Sequence, residues 1–294
     1  MTQSPRVLLG LDVETDVGSF YTTYNGMVDG TPLLLDLLTR QDAAVTFFVT
    51  GAAAQAHPEV VAAIAAAGFE VGAHSLYHET VGEPIFEVPG VVPILPEEVE
   101  HRFDLTTQIV AAAAGYRPVS WRCPRLFGST TVTNALEKLG YLADATYPMY
   151  HFADRLAPYH PSAEDWTQEG DLRLLEIPNF ADMARESHDE FGRDRDQWPL
   201  FRTQSAAALL ECCDSFLAFL AARAVPPVLC FYFHPWEFVP QPASMFIGEG
   251  TVTPDPFILE GCGAYALEQF GVLIEGLRQR GAEFVTAKEL AESW

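Results

Sequence analysis

The chain has 294 residues, 49% hydrophobic and 12% aromatic, enough apolar material for one large core. Seventeen basic residues against forty acidic ones leave a formal charge of −23, which argues against nucleic acid or an anionic membrane as partner. The cysteines (Cys123, Cys212, Cys213, Cys230 and Cys262) are odd in number and lack C-x-x-C spacing, so neither a disulfide framework nor a structural zinc cluster is expected.

In chain order, the start MTQSPRVLLGLDVETD has no basic region followed by a long apolar stretch and reads as a strand. No run of roughly 18 apolar residues occurs, so no membrane span is expected and the default location is cytoplasmic. Strands are expected at Val7–Val13, Ala44–Val49, Phe69–His74, Val119–Cys123, Ala143–Thr146, Leu174–Pro178, Val228–His234 and Glu283–Thr286. Helices are expected near Pro32–Arg40, Pro58–Ala67, Pro96–Ala114, Thr130–Leu139, Ser205–Ala222 and Ala264–Arg280, several with Pro in the first turn. Strands alternating with helices of this length imply parallel βα units, and seven or eight of them suggest a closed or nearly closed barrel. Three irregular stretches, 82–96, 149–171 and 240–263, interrupt the alternation and are expected to wall a substrate cleft.

Polar residues fall where these strands end. Asp12 and Glu14 close the first, His74 the third, Arg122 lies at the end of the fourth, and His234 ends the seventh. His78 follows His74 by four residues, a spacing that on a helical turn puts both imidazoles on one side. Two histidines and a carboxylate form a set suited to zinc or another first-row divalent ion. Asp12 and Glu14, two apart on a strand, point the same way. One can bind the metal while the other serves as general base, and Asp16 is a reserve ligand. Arg122 at a buried strand end is expected to hold Asp12. His234 is a general acid or a satisfied core histidine, its ordinary pKa of about 6.5 suiting the first role. Cys123 reads as a small core residue, and Trp236 either stacks on a sugar or caps the barrel mouth. No G-x-S-x-G, P-loop or G-x-G-x-x-G occurs, so serine-hydrolase, NTPase and Rossmann readings lack support.

Between residues 7 and 236 the chain resembles the polysaccharide deacetylase superfamily, carbohydrate esterase family 4, in its intracellular type. LDVET resembles the first motif in a D-x-D/E form, AVTFFVTG the second strand, and GFEVGAHSLYHE the histidine motif. WRCP resembles the R-x-P motif, LGYLADATYP the element after it, and FYFHPWEF the last motif. The resemblance implies a distorted (β/α)7 barrel of one domain spanning 1–294. It further implies Asp12 as base, Glu14, His74 and His78 as metal ligands, Arg122 orienting the base, and His234 as acid. Pro124, Arg125 and Trp236 are implied in substrate binding, with the backbone N–H of Arg125 as oxyanion donor. Glu14 departs from the more usual aspartate, and Arg125 stands where many members carry an aromatic.

The expected function is therefore zinc-dependent hydrolysis of an N-acyl group, commonly N-acetyl, on an amino sugar or related amide. Two alternatives stand beside it. One is a metal-independent cyclic-amide hydrolase of the allantoinase-like kind, and the other a glycan-binding protein without catalysis. The partner is a small molecule or glycan, and homo-oligomerisation is left open.

Overall fold

A computed structural model describes residues 4–88 and 90–294, so Pro89 of the 82–96 stretch lies outside the described residues. Seven parallel strands form the frame: β1 Arg6–Val13, β2 Val45–Val49, β3 Glu70–Ala73, β4 Ser120–Trp121, β5 Ala143–Asp144, β6 Leu175–Glu176 and β7 Val228–Phe233. A hairpin, β8 Met245–Phe246 with β9 Thr251–Val252, lies apart, and β10 Glu283–Phe284 extends the sheet beside the start of β1. The strands pair in sequence order from β1 to β6, and β7 returns to the other side of β1. The sheet thus curls toward a barrel with a seam between β6 and β7, bridged by a hydrogen bond from Phe180 N to Cys230 O at 2.7 Å. This is the distorted (β/α)7 architecture expected from the sequence, with helices outside the sheet.

The elements follow the apolar pattern, with shorter strands than expected. Thr130–Leu139 is helical over the expected span, N-capped by Ser129, whose side chain accepts from Val132 N. Val99–Ala114 ends where Gly115 takes a left-handed conformation, φ 80°. The 149–171 stretch packs upon itself instead of walling the cleft, its Tyr159 and Trp166 burying against Tyr147. Both rings meet Tyr147 edge-on, with centres 5.8 and 5.7 Å away, a packing that takes their apolar surface out of water.

Period-two alternation along β1 divides the interior into layers. Val7, Leu9, Leu11 and Val13 face the helices, where Leu34, Leu38, Phe216 and Phe270 meet them. Leu8 faces inward, joining Phe48, Leu175, Cys230 and Leu290 in a plug at the base of the barrel. Above the plug the next inward positions are Gly10 and then Asp12. Gly10 is required there, since a Cβ would lie 2.2 Å from Nη1 of the fully buried Arg122. Gly10→Ala is therefore expected to destabilise the protein by about 1–3 kcal/mol, the usual cost of overpacking. A wild-type melting temperature in the variant would contradict this.

All five cysteines are free. Among the described residues no helix is long and apolar enough to cross a membrane.

Candidate active site

Arg122 is the hub at the upper end of the barrel. Its Nη1 donates to Asp12 Oδ1 at 2.8 Å, Nε to Ala145 O at 2.9 Å, and Nη2 to Phe231 O at 3.1 Å. Its guanidinium also lies 4.5 Å from the ring centre of Phe48. Burial alone would make Arg122 easier to deprotonate, but Asp12 outweighs it and the pKa rises, so the cation persists. The consequence is a carboxylate fixed in place with one oxygen engaged.

Glu14, His74 and His78 come together beside it, each offering one ligand atom within 4.8 Å of the others. They do not arrive as expected from a helical turn. β3 stops at Ala73, and the chain bends with Ser75 and His78 both at positive φ, 62° and 59°. Glu14 likewise lies just past the end of β1. Its Oε2 is 2.5 Å from His78 Nε2 and 3.8 Å from His74 Nε2, while Oε1 is 4.0 Å from His234 Nε2.

The electrostatics suit a cation. His74 Nδ1 lies 2.8 Å from the Arg122 carbonyl, which can only accept, so Nδ1 carries the proton and Nε2 keeps its lone pair for the cluster. Burial pulls the His74 pKa down to about 4, keeping the ring neutral. Burial alone would raise Glu14, yet the neighbouring histidines, His78 foremost, hold it at about 2. Glu14 Oε1 is buried with no hydrogen-bond partner among the described residues, which leaves acceptor capacity unspent. Two imidazoles, one carboxylate and spare lone pairs fit a divalent ion. Asp16 is not free to join them. It accepts from Thr23 Oγ1 at 2.7 Å, Asn25 N at 2.9 Å and Gly26 N at 2.8 Å, tying down the turn after β1.

His234 faces the cluster from the end of β7. Its Nδ1 lies 2.9 Å from Glu237 Oε1, and its backbone N–H donates to that same oxygen at 2.9 Å. Glu237 in turn accepts from Arg202 Nε at 2.5 Å and Trp198 Nε1 at 3.2 Å. Burial would lower the His234 pKa, but the hydrogen bond and charge of Glu237 raise it above the ordinary value. The Glu237–Arg202 support was not read from the sequence. The three-residue spacing His-x-x-Glu around a proline was the available signal, while Arg202 is 35 residues from Glu237 and carried none.

Above these groups opens a cavity of about 270 Å³. Phe86 and Val88 from the 82–96 stretch and Phe257 and Ile258 from 240–263 line it, but nothing from 149–171 does. Arg193 and Trp198, on a segment not singled out in the sequence, line it as well, with Tyr232. Trp236 lines the cavity and stacks on His234, ring centres 5.2 Å apart. Arg125 lines it too, from a left-handed turn at φ 58°. Pro124 does not. It is buried at the start of that turn, where its fixed φ suits the first helical position, so it shapes the wall from behind. Cys123 is also buried, with Trp121 Nε1 3.3 Å from its sulfur and its thiol pKa pushed well up by burial. That thiol is inert.

Residues 12–143 match the family model for polysaccharide deacetylase. That match covers 132 of the 294 residues and includes every proposed site residue from Asp12 to Arg125. Solved structures of similar fold include a Mycobacterium smegmatis protein assigned as a polysaccharide deacetylase, with TM-score 0.62 and 20% identity over 100% of this chain and 91% of that one. Puue allantoinase gives TM-score 0.63 at 16% identity, over 100% and 92% of the two chains. A family 4 carbohydrate esterase pseudoenzyme from Bacillus anthracis gives TM-score 0.56 at 13% identity, over 99% and 66%. At these identities the likeness is one of fold. The deacetylase fold thus carries active and inactive relatives, and the side chains of each site must be read for themselves.

Proposed function

We propose that the protein is a metal-dependent amide hydrolase that removes an N-acyl group from an amino sugar or related small amide. The observation that carries this is the convergence of Glu14, His74 and His78 beside a clamped Asp12 and a clamped His234. Zinc is the ion these ligands fit best, and when bound it supplies Lewis acidity toward the amide carbonyl and acidifies nearby water. Asp12, held by Arg122, takes the proton of the attacking water. The backbone N–H of Arg125 serves the oxygen on which negative charge develops. His234, its proton retained by Glu237, delivers a proton from Nε2 to the departing nitrogen. Nothing in this set is missing, which favours an enzyme over a glycan-binding relative without catalysis.

The glutamate at position 14, where the family's first motif more usually has aspartate, favours a second reading: cyclic-amide hydrolysis without metal, as in an allantoinase-like branch. Elemental analysis separates the two. Purified protein is expected to hold about one zinc per chain, from three ligands as in other catalytic sites. His74→Ala and His78→Ala are each expected to lose the zinc while keeping the fold by circular dichroism. Full activity of chelator-treated wild type would overturn the metal mechanism and support the second reading.

A further inference from the structure

We infer that Arg125 reads a negative charge on the substrate, so that the amide hydrolysed carries a carboxylate close to the scissile bond. The inference rests on the amide-hydrolase reading above and narrows its substrate class. It begins from a mismatch of charges in the cavity wall. Two arginines line it, Arg193 and Arg125. Arg193 is already served, with Nη1 3.4 Å from Asp196 Oδ2 and 3.3 Å from the Tyr150 hydroxyl. Arg125 is not. Its Nη1 donates to the His78 carbonyl at 3.1 Å, and among the described residues it makes no ion pair, Glu14 acting on it only through charge. Burial weighs against its charge, with Glu14 the acid that supports it. Once Glu14 holds a cation, that support is spent, and a half-buried guanidinium is left facing the cavity with donors to fill.

The rest of the wall argues the same way. Among the described residues, beyond Asp12 and Glu14, it presents no carboxylate, amide or aliphatic hydroxyl side chain. A neutral hexosamine, whose ring hydroxyls need acceptors as well as donors, would find few partners among Phe86, Trp198, Trp236 and Phe257. A compact, partly apolar amide with one anionic group would find a match for each part. The His78 contact sets the position, since the guanidinium adjoins a residue of the metal cluster. A carboxylate bound there lies within a few bonds of the amide being cleaved. That a chain of net charge −23 keeps an unmatched cation at this spot supports a recognition role over a solubility one.

Paired probes that differ only in charge test this: N-benzoylglycine against N-benzoylglycinamide, and N-acetylphenylalanine against its primary amide. Binding is measured by calorimetry on the zinc-loaded protein, and amine release is followed separately. The wild type is expected to prefer the carboxylate member by about tenfold or more, as for a charged hydrogen bond. Arg125→Met should bring the ratio near one, and Arg125→Lys should restore part of it. Charge-selective binding without amine release would uphold the role of Arg125 while counting against the hydrolase reading. No preference in the wild type, or equal loss for both members in Arg125→Met, would overturn the inference, leaving Arg125 a group of the fold or of the transition state.

Discussion

Asp12→Asn is expected to lower turnover by roughly 10²–10⁴-fold, the range for loss of a general base, while zinc content stays at the wild-type level. The geometry separates the two effects. Asp12 Oδ1 is committed to Arg122, whereas the ligand atoms that cluster are those of Glu14, His74 and His78. Asparagine keeps an oxygen that can accept from Arg122 Nη1, so the buried guanidinium is not stranded. Full truncation to alanine would leave it uncompensated, at about 3–5 kcal/mol. Glu14→Gln should behave oppositely, weakening metal binding and recovering activity as zinc is raised. Metal analysis beside kinetics decides the matter. An empty site in Asp12→Asn with a full one in Glu14→Gln would reverse the two carboxylates.

The second large effect is on pH dependence. His234 must be protonated to serve the leaving nitrogen, and Glu237 raises its pKa, so activity should persist above pH 6.5 before falling. Glu237→Gln removes the charge that holds the proton, and the descending limb should move to lower pH. His234→Ala should lower turnover and erase or displace that limb with zinc still bound. Ionisation of water at a metal also falls near neutrality, so the profiles must be compared at saturating zinc. Glu237 also pairs with buried Arg202, so Glu237→Gln is measured well below its melting temperature. An unmoved limb and undiminished turnover in His234→Ala would reduce His234 to a core residue at the end of its strand.

Much of the barrel was legible because its strands and helices repeat apolar residues with the periods of their own geometry. The positions of Asp12, Arg122 and His234 at strand ends followed from that alone. What periodicity could not show was how irregular backbone aims a side chain. The approach of His74 and His78 depends on left-handed residues, including a serine and a histidine that carry no turn signature as glycine would. Asp16 stood in reserve behind Glu14 as a ligand, yet backbone N–H groups nine and ten residues later claim it. The 149–171 stretch resembled a cleft wall in composition, but its aromatics had a nearer place to bury. Arg202 and Trp198 lie far from His234 in sequence and meet it only through Glu237. Such pairings belong to tertiary structure.

Arg122 has a bearing on how this fold can change over generations. Through its guanidinium it reaches β1, the end of β5 and β7, while its own carbonyl receives His74 beyond β3. Those contacts span both sides of the seam between β6 and β7. A lineage that no longer needed turnover could not discard Arg122 cheaply, because the same atoms that hold Asp12 hold the strands. Drift would be felt first at Glu14, His78 or His234, whose loss spares the barrel. Descendants that have fallen silent should therefore still carry this arginine, and its presence by itself is a record of inheritance more than of activity.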